Sequence, residues 1–205
     1  MNTSTFAAPV TLAGSHVTLV PLDPGHETDL ADAACDGRLW EQWTTHVPRP
    51  EAMGAEIRRR LDLRAAGSMC PFAVLDPSTG RAVGMTSYMH IEAAHRRVEI
   101  GSTWYRQSVQ RTALNTEAKR LLLGHAFERL DCIAVEFRTH VFNHRSRRAI
   151  ERLGARLDGI LRNHQIQTHP NAPGVLRDTC VYSVIAGEWP AVKVHLDHLL
   201  GRPPS

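Results

Sequence analysis

Lysine is nearly absent from this chain of 205 residues. Lys119 and Lys193 are the only two, so 22 of the 24 basic side chains are arginine. Arginine forks suit carboxylates and phosphates, although a compositional bias alone yields the same skew. The formal net charge of +3 is too small to point to a nucleic-acid partner. Cysteine is scarce and scattered: Cys35, Cys70, Cys132 and Cys180 form neither a C-x-x-C pair nor a zinc knuckle. No run approaches the ~20 apolar residues of a membrane span, and Met1 to Ser15 has no signal-peptide pattern. These absences point to a reducing, cytoplasmic setting without a membrane partner. Twelve histidines include no H-E-x-x-H pattern and no three convergent ligands, so no metal is expected.

What is present reads as one α+β domain, with a core over about 9–187 and a helical tail over 188–205. A strand is expected at His16–Leu22 and a helix at Pro24–Asp36, with Asp23 as its cap. A second helix spans Glu51–Ala66, with Met53, Ile57 and Leu61 on its apolar stripe. Residues 72–105 read as a meander of three strands turned at Asp76-Pro77-Ser78-Thr79-Gly80. A long helix follows from a cap at Asn115 to Leu130, then a strand over Ile133–Thr139. A helix over Asn143–Leu153 ends on Gly154, and two strands, Ala155–Arg162 and Thr179–Ile185, flank a polar loop over 163–177. Glu188–Leu200 reads as a last helix.

A loop entering a helix offers free amides and the positive end of a dipole to an anion. The segment Gln110-Arg111-Thr112-Ala113-Leu114-Asn115-Thr116 is such a loop, with an arginine fork and hydroxyls beside it. An ordinary polar connection reads the same way.

The order of these pieces carries more than any one of them. VEIGSTWY (98–105), QRTALNTEAKRLLLGHAF (110–127), THVFNHRSRRAIERLGA (139–155) and RDTCVYSVI (177–185) follow one another as in the GNAT acetyltransferase superfamily. The chain resembles that family, closest to its RimJ/RimL-like branch, from about Pro9 through Val184. The resemblance implies a mixed, mostly antiparallel sheet of about seven strands flanked by helices, with the fourth and fifth strands splayed. It implies acetyl-CoA, its pantetheine arm in the splay and its pyrophosphate on residues 110–116. The two small places of the family's phosphate loop fall on Ala113 and Asn115, where glycine is missing.

By the same resemblance Asn143 begins the helix beside the pantetheine, and Ser146 follows it. The family's tyrosine acid falls on Ile150, which leaves Ser146 as a donor to the departing sulfur or merely as part of the helix cap. Glu99, opposite in facing to Val98 and Ile100, is the candidate base, or else a solvent-facing strand residue. Trp40, Trp43, Tyr88, His90 and the 163–177 loop are candidate acceptor contacts, and Arg111 with Arg147 or Arg148 would meet phosphate. The reading is an N-acetyltransferase acting on a protein or small-molecule primary amine in a ternary complex, with a homodimer as the candidate assembly. Its rivals are a non-catalytic acyl-CoA-binding module and a basic nucleic-acid-associated domain.

Overall fold

Apolar strands separated by strong turns build the middle of the molecule, a computed structural model that describes residues 6–201. The strands are β1 (Leu12–Ala13), β2 (Thr18–Pro21), β3 (Met69–Leu75), β4 (Ala82–Glu92), β5 (Arg97–Tyr105), β6 (Ala134–His140), β7 (Arg156–Ile166) and β8 (Leu176–Ile185). They form one eight-stranded sheet in the order β1-β2-β3-β4-β5-β6-β8-β7. Every pairing is antiparallel except β5 with β6. The eighth strand is the two-residue β1, too short for an apolar pattern to announce.

The helices are α1 (Glu27–Cys35), α2 (Met53–Ala65), α3 (Ala113–Glu128), α4 (His144–Arg152) and α5 (Trp189–Leu200). Asp23 caps the 3-10 turn that leads into α1, accepting from the Gly25 amide, as its position before Pro24 predicts. The expected cap of α3 at Asn115 is corrected. Thr112 sits in extended backbone and its hydroxyl accepts from the Leu114 amide, so the helix starts three residues earlier. Asn115 lies in the first turn instead. The 163–177 segment is also not one loop. After a left-handed residue at Asn163 the pairing resumes, with Gln165 opposite Arg177 and Ile166 opposite Leu176.

The sheet separates two apolar clusters. On one face Val98, Ile100, Val135, Phe137, Cys180 and Tyr182 pack against Leu122 and Ala126 of α3 and Leu196 of α5. On the other face, Ala73, Met85 and Trp104 pack under Leu30 of α1 and Met53 and Ile57 of α2. This second cluster covers only the first half of the sheet. Over β6 and β8 the same face carries polar residues, and that asymmetry positions the site.

Candidate active site between the splayed strands

The strands β5 and β6 pair through three positions only: Arg97 with Ala134, Val98 with Val135, and Glu99 with Glu136. Both then run on, to Tyr105 and His140, without pairing to each other. Unpaired backbone along such an edge is open to an extended ligand. The divergence starts beside a bulge, where Met85 faces Trp104, Ser87 faces Gly101, and Ser102 adopts a φ of 48°. A bulge adds local twist and turns its strand away from a neighbour.

Glu99 lies at the closed end of this gap, on the face away from Val98 and Ile100, and is only 6% exposed. It is therefore not a solvent-facing strand residue. Its Oε2 is 2.7 Å from His90 Nδ1 and 3.6 Å from Arg138 Nε. The hydrogen bond to Glu99 pushes the His90 imidazole above its usual pKa, against the opposing effect of partial burial. His90 is more than half exposed, so it joins the buried carboxylate to the open side of the cleft. Gly101 makes room for Glu99: a Cβ there would meet Glu99 Oε1 at 2.6 Å and Met89 Sδ at 2.7 Å.

Two like charges directly opposite, Glu99 and Glu136, would repel. Arg138 lies between them, donating to Glu136 at 2.9 Å, and Arg97 also donates to Glu136. Burial raises the Glu136 pKa, but these two hydrogen bonds outweigh it and leave it below the usual range.

Asn143 caps α4, its Oδ1 accepting from the Ser146 amide at 3.0 Å. The half-buried Ser146 side chain stands on the first turn of that helix. In the loop before α3, Arg111 takes a left-handed φ of 66°, a conformation that glycine adopts at no steric cost. The amides of Ala113, Leu114 and Asn115 form the first turn, although Thr112 already occupies that of Leu114. Leu114 contributes only backbone, since its side chain is in the core. Gln110 donates to Tyr105 O at 2.6 Å and accepts from Arg145.

Three placements differ from expectation. Tyr88 faces the α3 side, fully buried, and its hydroxyl donates to Leu122 O at 2.6 Å. It is a core residue and cannot touch an acceptor. The Thr116 hydroxyl is buried and accepts from Arg152, so it points at α4 rather than at a phosphate. Arg147 donates to Tyr182 Oη and Val141 O, which leaves Arg145 as the guanidinium beside the loop. Of the two tryptophans, Trp40 packs on the α1–α2 cluster, while Trp43 lines a cavity with Thr45, Gln165, Gln167 and Arg177. The cavity measures about 540 Å³.

Two buried cations near the gap escaped the sequence reading. Arg60 of α2, 1% exposed, bonds Glu56 at 2.7 Å, Ser87 Oγ at 3.2 Å and Ser102 O at 3.3 Å. Lys119 of α3, 5% exposed, donates to Thr103 Oγ1 at 2.8 Å and Thr86 Oγ1 at 3.1 Å. Burial without a carboxylate brings the Lys119 pKa down to about 7. Both had a signal: Glu56 and Arg60 are four apart on one helix, and Lys119 shares a stripe with Leu122 and Ala126. Among the described residues no group of three or more His, Cys, Asp or Glu is arranged to hold a metal, and no helix is long and apolar enough to cross a membrane.

Comparison with known proteins agrees with this fold. The pattern of the acetyltransferase (GNAT) domain family matches residues 16–156. The Bacillus subtilis (strain 168) protein named "Putative ribosomal N-acetyltransferase YdaF" is 30% identical over 114 residues, 56% of this chain and 59% of its own length. The chain thus spans less than two thirds of that relative. A solved GCN5-related N-acetyltransferase from Brucella melitensis is 32% identical, with a TM-score of 0.81 over 94% of this chain and 86% of its own. Mycobacterium smegmatis RimJ, solved in complex with CoA-disulfide, shares the fold at a TM-score of 0.78 and 20% identity, over 96% and 97% of the two chains.

Proposed function

The chain belongs to the GNAT acetyltransferase family, and from that premise we propose that it moves an acetyl group from acetyl-CoA to a primary amine. The observation that carries this is the end of β5–β6 pairing at Glu99, with His90 bonded to that carboxylate. The open edge of β5 would pair with the pantetheine arm. The first-turn amides of Ala113 and Asn115, with Arg111 and Arg145, would meet the phosphates. Asn143 would fix the start of α4 beside the arm, and Ser146 would donate to the departing thiolate. Four unpaired cysteines fit a reducing compartment.

The amine must lose its proton to attack the thioester carbonyl. Glu99 and His90 together offer the acceptor: the carboxylate would orient Nδ1 and leave Nε2 to take the proton. A backbone amide of β5 would polarise the carbonyl, and attack within the ternary complex is then largely a matter of positioning. RimJ/RimL-like acceptors, a protein N-terminus or lysine, and smaller amines all present the required group.

Two measurements test the reading. Acetyl-CoA at 100 times its Kd should add about 2.7 kcal/mol of stability, a rise of about 5–10 °C in Tm at this chain length. Release of free thiol in the presence of an amine panel should follow. His90 carries its proton below its raised pKa and cannot then accept another, so the rate should fall on the acid side. In Glu99→Gln the imidazole loses its anionic partner, and that acid limb should move to lower pH while the rate drops. CoA binding without transfer to any amine would establish the non-catalytic alternative instead, and an unmoved limb would remove the dyad from the reaction.

A further inference from the structure

The cavity beside Trp43 has an uneven set of polar atoms. Among the described residues, the buried side-chain N and O atoms without a partner are Trp40 Nε1, Trp104 Nε1, Tyr105 Oη, His140 Nε2, Gln167 Nε2 and Arg177 Nε. His140 Nδ1 accepts from the Phe142 amide, so its proton resides on Nε2. Five of the six atoms are therefore donors, and none is a carboxylate or carbonyl. Native structures satisfy nearly all buried polar groups, and the exceptions concentrate where a ligand completes the set.

Three of these donors belong to one place. Gln167 and Arg177 line the cavity, and His140 lies edge-on to Trp43 at 4.8 Å between ring centroids. Register puts them on one sheet face: Glu99 lies beside Glu136, His140 lies opposite Thr179, and Arg177 precedes Thr179 by two residues on β8. This is the polar face that the α1–α2 cluster leaves uncovered. Arg177 makes no ion pair among the described residues; partial burial makes its charged form harder to hold, and the charge of Glu99 favours it. His169, in the cavity lining, has its Nε2 2.9 Å from Trp40 O, which ties the 163–177 segment to the turn before Trp43.

We propose that this cavity selects an acceptor amine that also carries a carboxylate, the carboxylate paired with Arg177 and flanked by Gln167 and His140. The amine end then lies toward Glu99 and His90, so the two charges of the acceptor meet opposite charges at the two ends of one cleft. A single guanidinium among neutral donors matches one monoanion and not a chain of phosphates. The inference rests on the amine-acetylation reading above and adds the class of its acceptor. Free amino acids supply this chemistry, as do peptides with an acidic residue beside the N-terminus.

The test uses acetyl-CoA with L-amino acids, their carboxamides and the matching amines without a carboxyl group. Peptides with Asp or Asn at the second position separate the two sources. A charge-assisted hydrogen bond predicts kcat/KM about 10- to 100-fold higher for the acids than for their amides. Arg177→Gln should erase that preference by lowering the rate on the acids. Arg177→Met should keep or raise the Tm of the ligand-free protein, because a half-buried charge with no ion pair is removed. Carboxylated amines with CoA should stabilise the wild type and not this variant. Equal rates for acids and amides, a preference that survives in Arg177→Gln, or a lowered Tm in Arg177→Met overturns the inference and leaves the acetyltransferase reading standing. Transfer to no amine at all removes both.

Discussion

Arg60 ties α2 to two strands of the sheet, and Arg60→Met measures what it holds. The guanidinium is 1% exposed and reaches three groups: Glu56 on its own helix, Ser87 Oγ on β4 and Ser102 O in the β5 bulge. Burial alone would raise the Glu56 pKa, but hydrogen bonds from Arg59 and Arg60 outweigh it and hold it at about 2. Breaking a buried pair by removing one partner costs about 3–5 kcal/mol. Arg59 still grips Glu56 through Nε and Nη2, and methionine refills the volume, so the low end applies. The expected loss is about 3 kcal/mol, or about 6–12 °C in Tm at this chain length.

Urea unfolding of Arg60→Met, Glu56→Gln and the double variant apportions that loss. If the stranded carboxylate dominates, the double variant recovers part of it, and the cycle shows a coupling of about 1 kcal/mol or more. If the bulge carbonyl dominates, the double variant recovers nothing, but KM for acetyl-CoA rises because β5 no longer holds its turned course. Glu56 also sets an acid limb. Its folded pKa lies below its unfolded 4.5, so its contribution is present above that value and is lost as pH falls toward 2. A loss below about 1 kcal/mol, with KM and the acid limb unchanged, would refute the assignment of Arg60 as the bulge anchor.

Lys119→Met tests the second buried cation. The unfolded lysine keeps its proton to about 10.5 and the buried one releases it at about 7, so unfolding takes up a proton between these values and stability climbs with pH. The wild-type-minus-variant stability difference should therefore rise from pH 7 to 9. The buried thiols of Cys70 and Cys132, with raised pKa values, oppose that climb above pH 9 but cancel in the difference. Equal slopes would reject the buried charge. Gly101→Ala should lower kcat about 10-fold or more without unfolding the protein, since its methyl displaces two side-chain ends, Glu99 Oε1 and Met89 Sδ, rather than backbone. An unchanged rate in a variant of normal Tm would show that Glu99 needs no such placement.

Much of this architecture was legible because period and punctuation agree. Asp23-Pro24, the turn at 76–80, Asn143 and Gly154 each did locally what their side chains favour. The failures share a different physical cause. Tyr88 and His90 are two apart on β4, and a regular strand would put both on one face. His90 instead has a φ of 44°, at a break in register between Met89 and Glu92. The left-handed residue turns its imidazole to Glu99, while Tyr88 stays in the core with Ile100 opposite. Asn163 does the same to β7, where a loop was expected and a paired hairpin continues. A single residue in a sparsely populated conformation leaves no trace in an apolar pattern, yet it decides which face receives a side chain.

The same reasoning explains why the splay holds its shape. One edge of β5 is left open beyond Glu99, so the strand cannot rely on β6 to fix its course. Its bulge is held from both faces: Arg60 donates to Ser102 O from the α2 side, and Lys119 donates to Thr103 Oγ1 from the α3 side. Each cation is buried at a cost that apolar residues would avoid. That cost is consistent with a strand whose position matters more than its stability. Acyl transfer needs reacting atoms set within a fraction of an ångström, and a site on a supported strand achieves this better than one on a loop. The buried cations, the glycine that admits Glu99 and the left-handed His90 are then parts of one device. In the proposed reaction it would aim a carboxylate–imidazole pair at the gap beside the bulge.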